Sequence, residues 1–116
     1  MTLRETLFAA AKQPVVTPVS VAQWIDQPLF IRVLTGTELD KYTTSVQKAR
    51  EDNHYAKSRA TLVALALCDA DGTPVASLDD VPAICDWNGK LLDKLFEAAF
   101  KANQIGVDES EEVEKN

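Results

Sequence analysis

Residues 59–72 read Arg59-Ala60-Thr61-Leu62-Val63-Ala64-Leu65-Ala66-Leu67-Cys68-Asp69-Ala70-Asp71-Gly72. From Leu62 to Cys68 the run is apolar on every side. A segment of that kind belongs in the middle of a core. Strand is the competing reading for 62–68. Three alanines across 60–66 and the helical lead-in favour a helix, expected from about residue 54 to 67. Asp69-Ala70-Asp71-Gly72-Thr73-Pro74 then turns the chain: Asx-type side-chain bonds, a glycine for positive φ, a proline after it.

Working upstream, Thr35-Gly36-Thr37-Glu38 opens a helix, with Thr35 or Thr37 as its cap. Leu39, Tyr42, Val46 and Ala49 follow at helical spacing, and Glu51-Asp52-Asn53 ends or kinks it. Before that, Val15, Val19 and Val21 alternate with small or polar residues, and Leu29-Phe30-Ile31-Arg32-Val33 is β-rich. Trp24-Ile25-Asp26-Gln27-Pro28 connects them, so 15–23 should pair with 29–34 as a β-hairpin. A lone hairpin is marginal in water and must lie on helices or on another subunit. Thr2-Leu3-Arg4-Glu5 reads as a capping box for a helix from 2 to about 12, with Leu3, Leu7, Phe8 and Ala11 on one face and Pro14 closing it.

Downstream, Asp79-Asp80-Val81-Pro82 starts a short helical turn carrying Val81, Ile84 and Cys85. Asp86 is expected to cap the last helix. Trp87, Leu91, Leu92, Leu95, Phe96, Ala99 and Phe100 form its stripe, and Asn103 or Gly106 its stop. The fold class is therefore mainly α: four to five helices with an N-terminal hairpin at about 15–34. The domain is expected over 1–106, followed by an acidic, disordered tail over 107–116.

The chain has 116 residues, 46% hydrophobic, which suits one domain with a real core. Its net charge is −6, unevenly spread. Residues 108–116 hold five acids and one base; the rest of the chain holds 13 acids and 11 bases. A nearly neutral body argues against a nucleic-acid partner and against a nucleic-acid mimic. No apolar run is long enough to span a membrane, and no export signal is apparent at Met1-Thr2-Leu3-Arg4-Glu5.

Chemistry is hard to find. Cys68 and Cys85 sit in apolar runs and read as small buried hydrophobes. The one histidine, His54, would lie about 21 Å from Cys68 along a continuous helix, too far for a nucleophile pair. The Asp69 to Asp80 segment has its glycine in the wrong place for a calcium loop. No phosphate loop or hydrolase motif occurs, so neither enzyme activity nor a cofactor is expected. Lys48, Arg50, Lys57 and Arg59, with Lys41 nearby, make a basic stripe that complements the acidic tail and is its expected docking place. Trp24 either folds back under its turn or anchors a partner. Together with Val15, Val19, Val21 and Phe30 it marks the hairpin as the expected partner or oligomer surface.

The order of elements resembles a known family. A short N-terminal helix and a valine-rich hairpin with a tryptophan lead to Ile31-Arg32-Val33-Leu34-Thr35-Gly36-Thr37-Glu38. Residues 59–72, quoted above, and Leu91-Leu92-Asp93-Lys94-Leu95-Phe96-Glu97-Ala98-Ala99 complete it. This resembles the tail assembly chaperones of long-tailed, siphovirus-type bacteriophages and prophages, over residues 2 to about 105. The resemblance implies a non-enzymatic protein of the host cytoplasm, absent from the mature virion. It implies three partners: the tape measure protein, the tail tube protein and further copies of the chain itself. The alternatives are a structural tail component or a small acidic interaction or regulatory domain.

Overall fold

The computed structural model describes residues 1–104. Its elements, in chain order, are α1 (Leu3–Ala11), β1 (Val16–Val19), β2 (Leu29–Arg32), α2 (Gly36–Asp52), α3 (Tyr55–Ala66), β3 (Leu67–Cys68), α4 (Val81–Cys85) and α5 (Gly89–Ala102). A 3-10 turn at Leu78–Asp80 leads into α4. The fold is mainly helical with a small antiparallel sheet of order β1-β2-β3.

Helix α3 is the centre. Every residue from Ala60 to Cys68 is buried, and α2, α4 and α5 all pack on it. Its two buried hydroxyls are satisfied inside the helix: Ser58 donates to the Tyr55 carbonyl at 2.9 Å and Thr61 to that of Lys57 at 2.7 Å. The apolar run does not stay helical to its end. Leu67 takes extended backbone, and Leu67–Cys68 pair with Ile31 and Phe30 of β2. Leu67, the last residue expected in the helix, is thus strand together with Cys68. The reason lies in β2, which would otherwise leave a row of buried backbone groups without partners.

The turn after β3 is built as its composition demands. The Asp69 carboxylate accepts from the amides of Asp71 and Thr73 at 2.8 and 3.0 Å. Gly72 has φ 84°, and a Cβ there would stand 2.6 Å from the Pro14 side chain. This turn is the seat on which the chain enters β1.

The hairpin is shorter than expected. Only Val16–Val19 pair with Leu29–Arg32. At Val21 the chain turns, its carbonyl accepting from Trp24 and Ile25 at 2.9 and 3.0 Å. Pro18 lies in the edge strand β1, where a missing N–H is tolerated. Two further corrections concern caps. Asn88, not Asp86, caps α5, accepting from Lys90 and Leu91; Asp86 instead ends α4. Trp87 consequently precedes the helix and is exposed rather than part of its stripe. In α1, the Thr2 hydroxyl accepts from the Glu5 amide and donates to the Glu5 carboxylate, which therefore bonds the hydroxyl and not a backbone amide.

Two polar side chains join sheet to helices. Thr35 caps α2 in a full capping box with Glu38, and the same carboxylate receives both terminal nitrogens of Arg32 on β2. Asn103, the C-cap of α5, accepts from the Leu34 amide at 2.7 Å and donates to the Ala99 carbonyl at 2.9 Å.

Gly72→Ala should destabilise the fold by about 1–2 kcal/mol from backbone strain alone, more with the clash against Pro14; urea unfolding measures it. The Arg32 guanidinium holds the Glu38 carboxyl below the usual glutamate value, against the opposing effect of burial. Its contribution to stability is therefore full above the unfolded-state value and lost as pH falls through the folded one. Glu38→Gln should flatten the loss of stability between about pH 5 and pH 3, read by thermal melts across that range.

Candidate functional site

The five hairpin residues expected to form one partner surface lie in different places. Val21 is 3% exposed and belongs to the core. Val19 and Trp24 are half-buried and pack against the core from the α5 side. The Lys94 ammonium stands 6.0 Å from the centre of the Trp24 ring. Trp24 therefore folds back under its turn. Phe30 is half-buried on the opposite face of the sheet from Ile31, which fills the core. Val15 is exposed beside β1.

Two apolar surfaces stand out instead. The first is α1. None of its residues is buried, and Leu3, Leu7 and Phe8 are 84%, 60% and 50% exposed. The helix is held by its cap and by the Arg4 guanidinium over the Phe8 ring at 4.2 Å. An isolated helix of this length is marginal in water, and its apolar face is open among the described residues. The periodicity of Leu3, Leu7, Phe8 and Ala11 was legible in the sequence; that nothing among the described residues buries it was not.

The second is an open groove of about 760 Å³ between β1 and α5. Val19, Phe96, Ala98 and Phe100 give it an apolar lining, and Lys94 and Lys101 stand at its walls. The sequence pattern points to Phe96 and Phe100 as core. They are half-buried groove walls, ring centres 5.5 Å apart.

The basic residues fall at the junction of α2 and α3. Lys48, Arg50 and Lys57 are exposed. Arg59 pairs with Asp93 of α5 at 2.6 Å, an exposed ion pair of the kind worth at most about 1 kcal/mol. The acidic tail expected to meet this stripe lies outside the described residues.

A small cleft of about 370 Å³ brings His54, Lys57, Cys85 and Asp86 to one wall. It is not built for thiol chemistry. Burial, followed by the neighbouring Asp86 charge, pushes the Cys85 thiol up, away from the thiolate that a nucleophile needs. Cys68 is fully buried and raised for the same first reason. Among the described residues no three His, Cys, Asp or Glu side chains gather as a metal site. No helix among them is long and apolar enough to cross a membrane.

No protein-family model matches the sequence, and no curated protein matches it. Among solved structures, the chain is similar to the tail assembly chaperone of bacteriophage HK97. The TM-score is 0.62 and the identity 19%, over 91% of this chain and 98% of that one. At that identity the likeness is one of fold.

Val21→Ser should cost about 1.5–3 kcal/mol of stability, because it removes core burial. Leu7→Ser should change stability by less than about 0.5 kcal/mol, because Leu7 is already in water. Thermal melts of the two variants test the division between core and open surface.

Proposed function

We propose that this chain is a phage or prophage tail assembly chaperone. It holds the tape measure protein during tail building and helps gather tail tube subunits around it. It acts without catalysis, as a homo-oligomer in the host cytoplasm, and is not retained in the virion.

The observation that carries this reading is α1. A holding chaperone needs apolar surface that its own fold does not consume, and α1 offers Leu3, Leu7 and Phe8 to solvent on a helix with no buried residue. Helix-on-helix contact of that face suits a long helical client or another copy of the chain. The shared fold with a tail assembly chaperone supports the same role. The remaining described residues supply the packed body that carries this helix.

The test is co-expression with the tape measure protein encoded in the same genome. The chain should raise the soluble fraction of that protein. The Leu3→Ser, Leu7→Ser, Phe8→Ser triple variant should lose this effect and sediment as a smaller species, while its body melts at an unchanged temperature. A tape measure protein that stays insoluble with the unaltered chain would overturn the client assignment. Finding the chain in purified virions by mass spectrometry would make it a structural component instead.

A further inference from the structure

The two open apolar surfaces of this chain fit one another. Helix α1 has nine residues, about 13.5 Å of helix. The groove follows α5 from Lys94 to Gln104, about 15 Å at the same rise. On α1, Leu3, Leu7 and Ala11 run along one face with Phe8 beside them. The groove meets that face with Val19, Phe96 and Phe100. Glu5 and Lys12 share the charged flank of α1, and Lys94, Glu97 and Lys101 on the groove side offer both signs to it.

A strand is a poor occupant of this side of the molecule. Strand β1 is an edge of the sheet. The Val33 amide donates to the Val15 carbonyl and Thr17 pairs with Ile31, so the backbone groups of the odd-numbered residues point to β2 and those of the even-numbered ones point outward. The outward positions are Pro14, Val16 and Pro18, and a proline has no N–H to give. An edge guarded in this way does not support a new ladder. What can enter beside it is a helix, held by side chains.

We propose that α1 of one copy lies in the groove between β1 and α5 of a second copy, and that the second copy's α1 returns the contact. This deepens the homo-oligomer of the proposed function, and it rests on that reading of α1 as a free face. Within one chain α1 has no buried residue and none of its residues lines the groove. Yet the two lie close. Asn103 binds the Leu34 amide and Val33 pairs with Val15, so α1 joins the sheet beside the Gln104 end of the groove. Pro14, seated against Gly72, fixes the chain between α1 and β1. A two-fold axis near that end carries each α1 onto its partner. The area favours reciprocity. Half the side wall of a helix this long and about 12 Å wide is roughly 250 Å². With the matching groove surface, one arm buries about 500 Å², the scale of an adventitious contact, and two arms reach about 1,000 Å², where specific association begins. A client helix then gains access by displacing one arm.

The test is disulfide trapping on the full chain in a Cys85→Ser background, Cys68 being fully buried. Leu7→Cys and Glu97→Cys are made in separate chains and mixed. The mixture should give at least about tenfold more linked dimer than either chain alone, because docked thiols meet at a high effective concentration. A chain carrying both substitutions should link into dimers and stop there. The unaltered chain should sediment as a dimer, and Leu7→Asp as a monomer whose body melts at an unchanged temperature. Equal linking in Leu7→Cys alone overturns the proposal, because α1 then pairs with α1. An internal link in the doubly substituted chain overturns it in favour of the chain's own groove, and a ladder beyond dimers overturns the reciprocal exchange. An unaltered chain that sediments as a monomer overturns it as well. Solubility of the tape measure protein is read separately, so the dimer and the client assignment can each fail without the other.

Discussion

A helix whose whole circumference is apolar cannot lie on a surface, and α3 is such a helix. Its burial from Ala60 through Cys68 requires a wall on every side. The other elements are arranged as those walls: α2, α4 and α5 around the helix, and β2 beside its strand extension. The remaining architecture follows from enclosing one segment. Helix α5 contributes Leu92, Leu95 and Ala99, α2 contributes Tyr42 and Ala49, and α4 contributes Val81 and Ile84. Each wall is one-sided, which is why these helices show a stripe and α3 does not.

Enclosure alone would leave the junctions between sheet and helices with unpaired backbone groups, and burying those is costly. Single side chains with several hydrogen-bonding positions meet that need. Glu38 accepts from the Thr35 amide at 2.9 Å and from the Arg32 guanidinium, so capping α2 and fixing β2 are one event. Asn103 uses its oxygen on Leu34 and its nitrogen on Ala99, so the end of α5 and the end of the sheet are likewise one event. Asp69 organises the turn whose Gly72 supports Pro14. Asn103 with Leu34 and Gly72 with Pro14 join distant parts of the chain, while the Glu38 contacts fix a neighbouring strand and helix; together they set the register in which the walls meet.

How much of this could be read from the sequence depended on range. Signals within a few residues were legible: the Thr35 cap, the Asp69 turn, the α2 and α5 periodicities, the central place of 62–68. What failed needed a partner far along the chain. Leu67–Cys68 are strand because β2 is there to pair with them, and nothing within 62–68 says so. Asp86 and Asn88 are equally good caps by composition, and only the path of the chain out of α4 decides between them. Val21 reads as a continuing strand residue, yet its carbonyl starts a turn that drives its side chain into the core. The candidate surface suffered most, because exposure is a property of what the rest of the chain leaves uncovered. Leu3 and Leu7 have the pattern of a packed helix and are in water; Val21 has the pattern of a sheet edge and is not.

That inversion bears on how such a molecule can work. Residues that hold the body together and residues that are open to a partner are different sets, on different elements. Helix α1 contributes nothing to the core, so changes on its face leave the body's stability almost untouched and are additive with changes elsewhere. The groove on α5 is the intermediate case: Phe96 and Phe100 pack partly on the core and partly bound open space. A partner that entered there would be felt by α5, and through Asn103 by the sheet. The face on α1 can therefore vary in sequence while the fold stays fixed, whereas a change on the groove face of α5 reaches the body. The two apolar faces therefore differ in kind: the one on α1 is separate from the core, and the one on α5 is continuous with it.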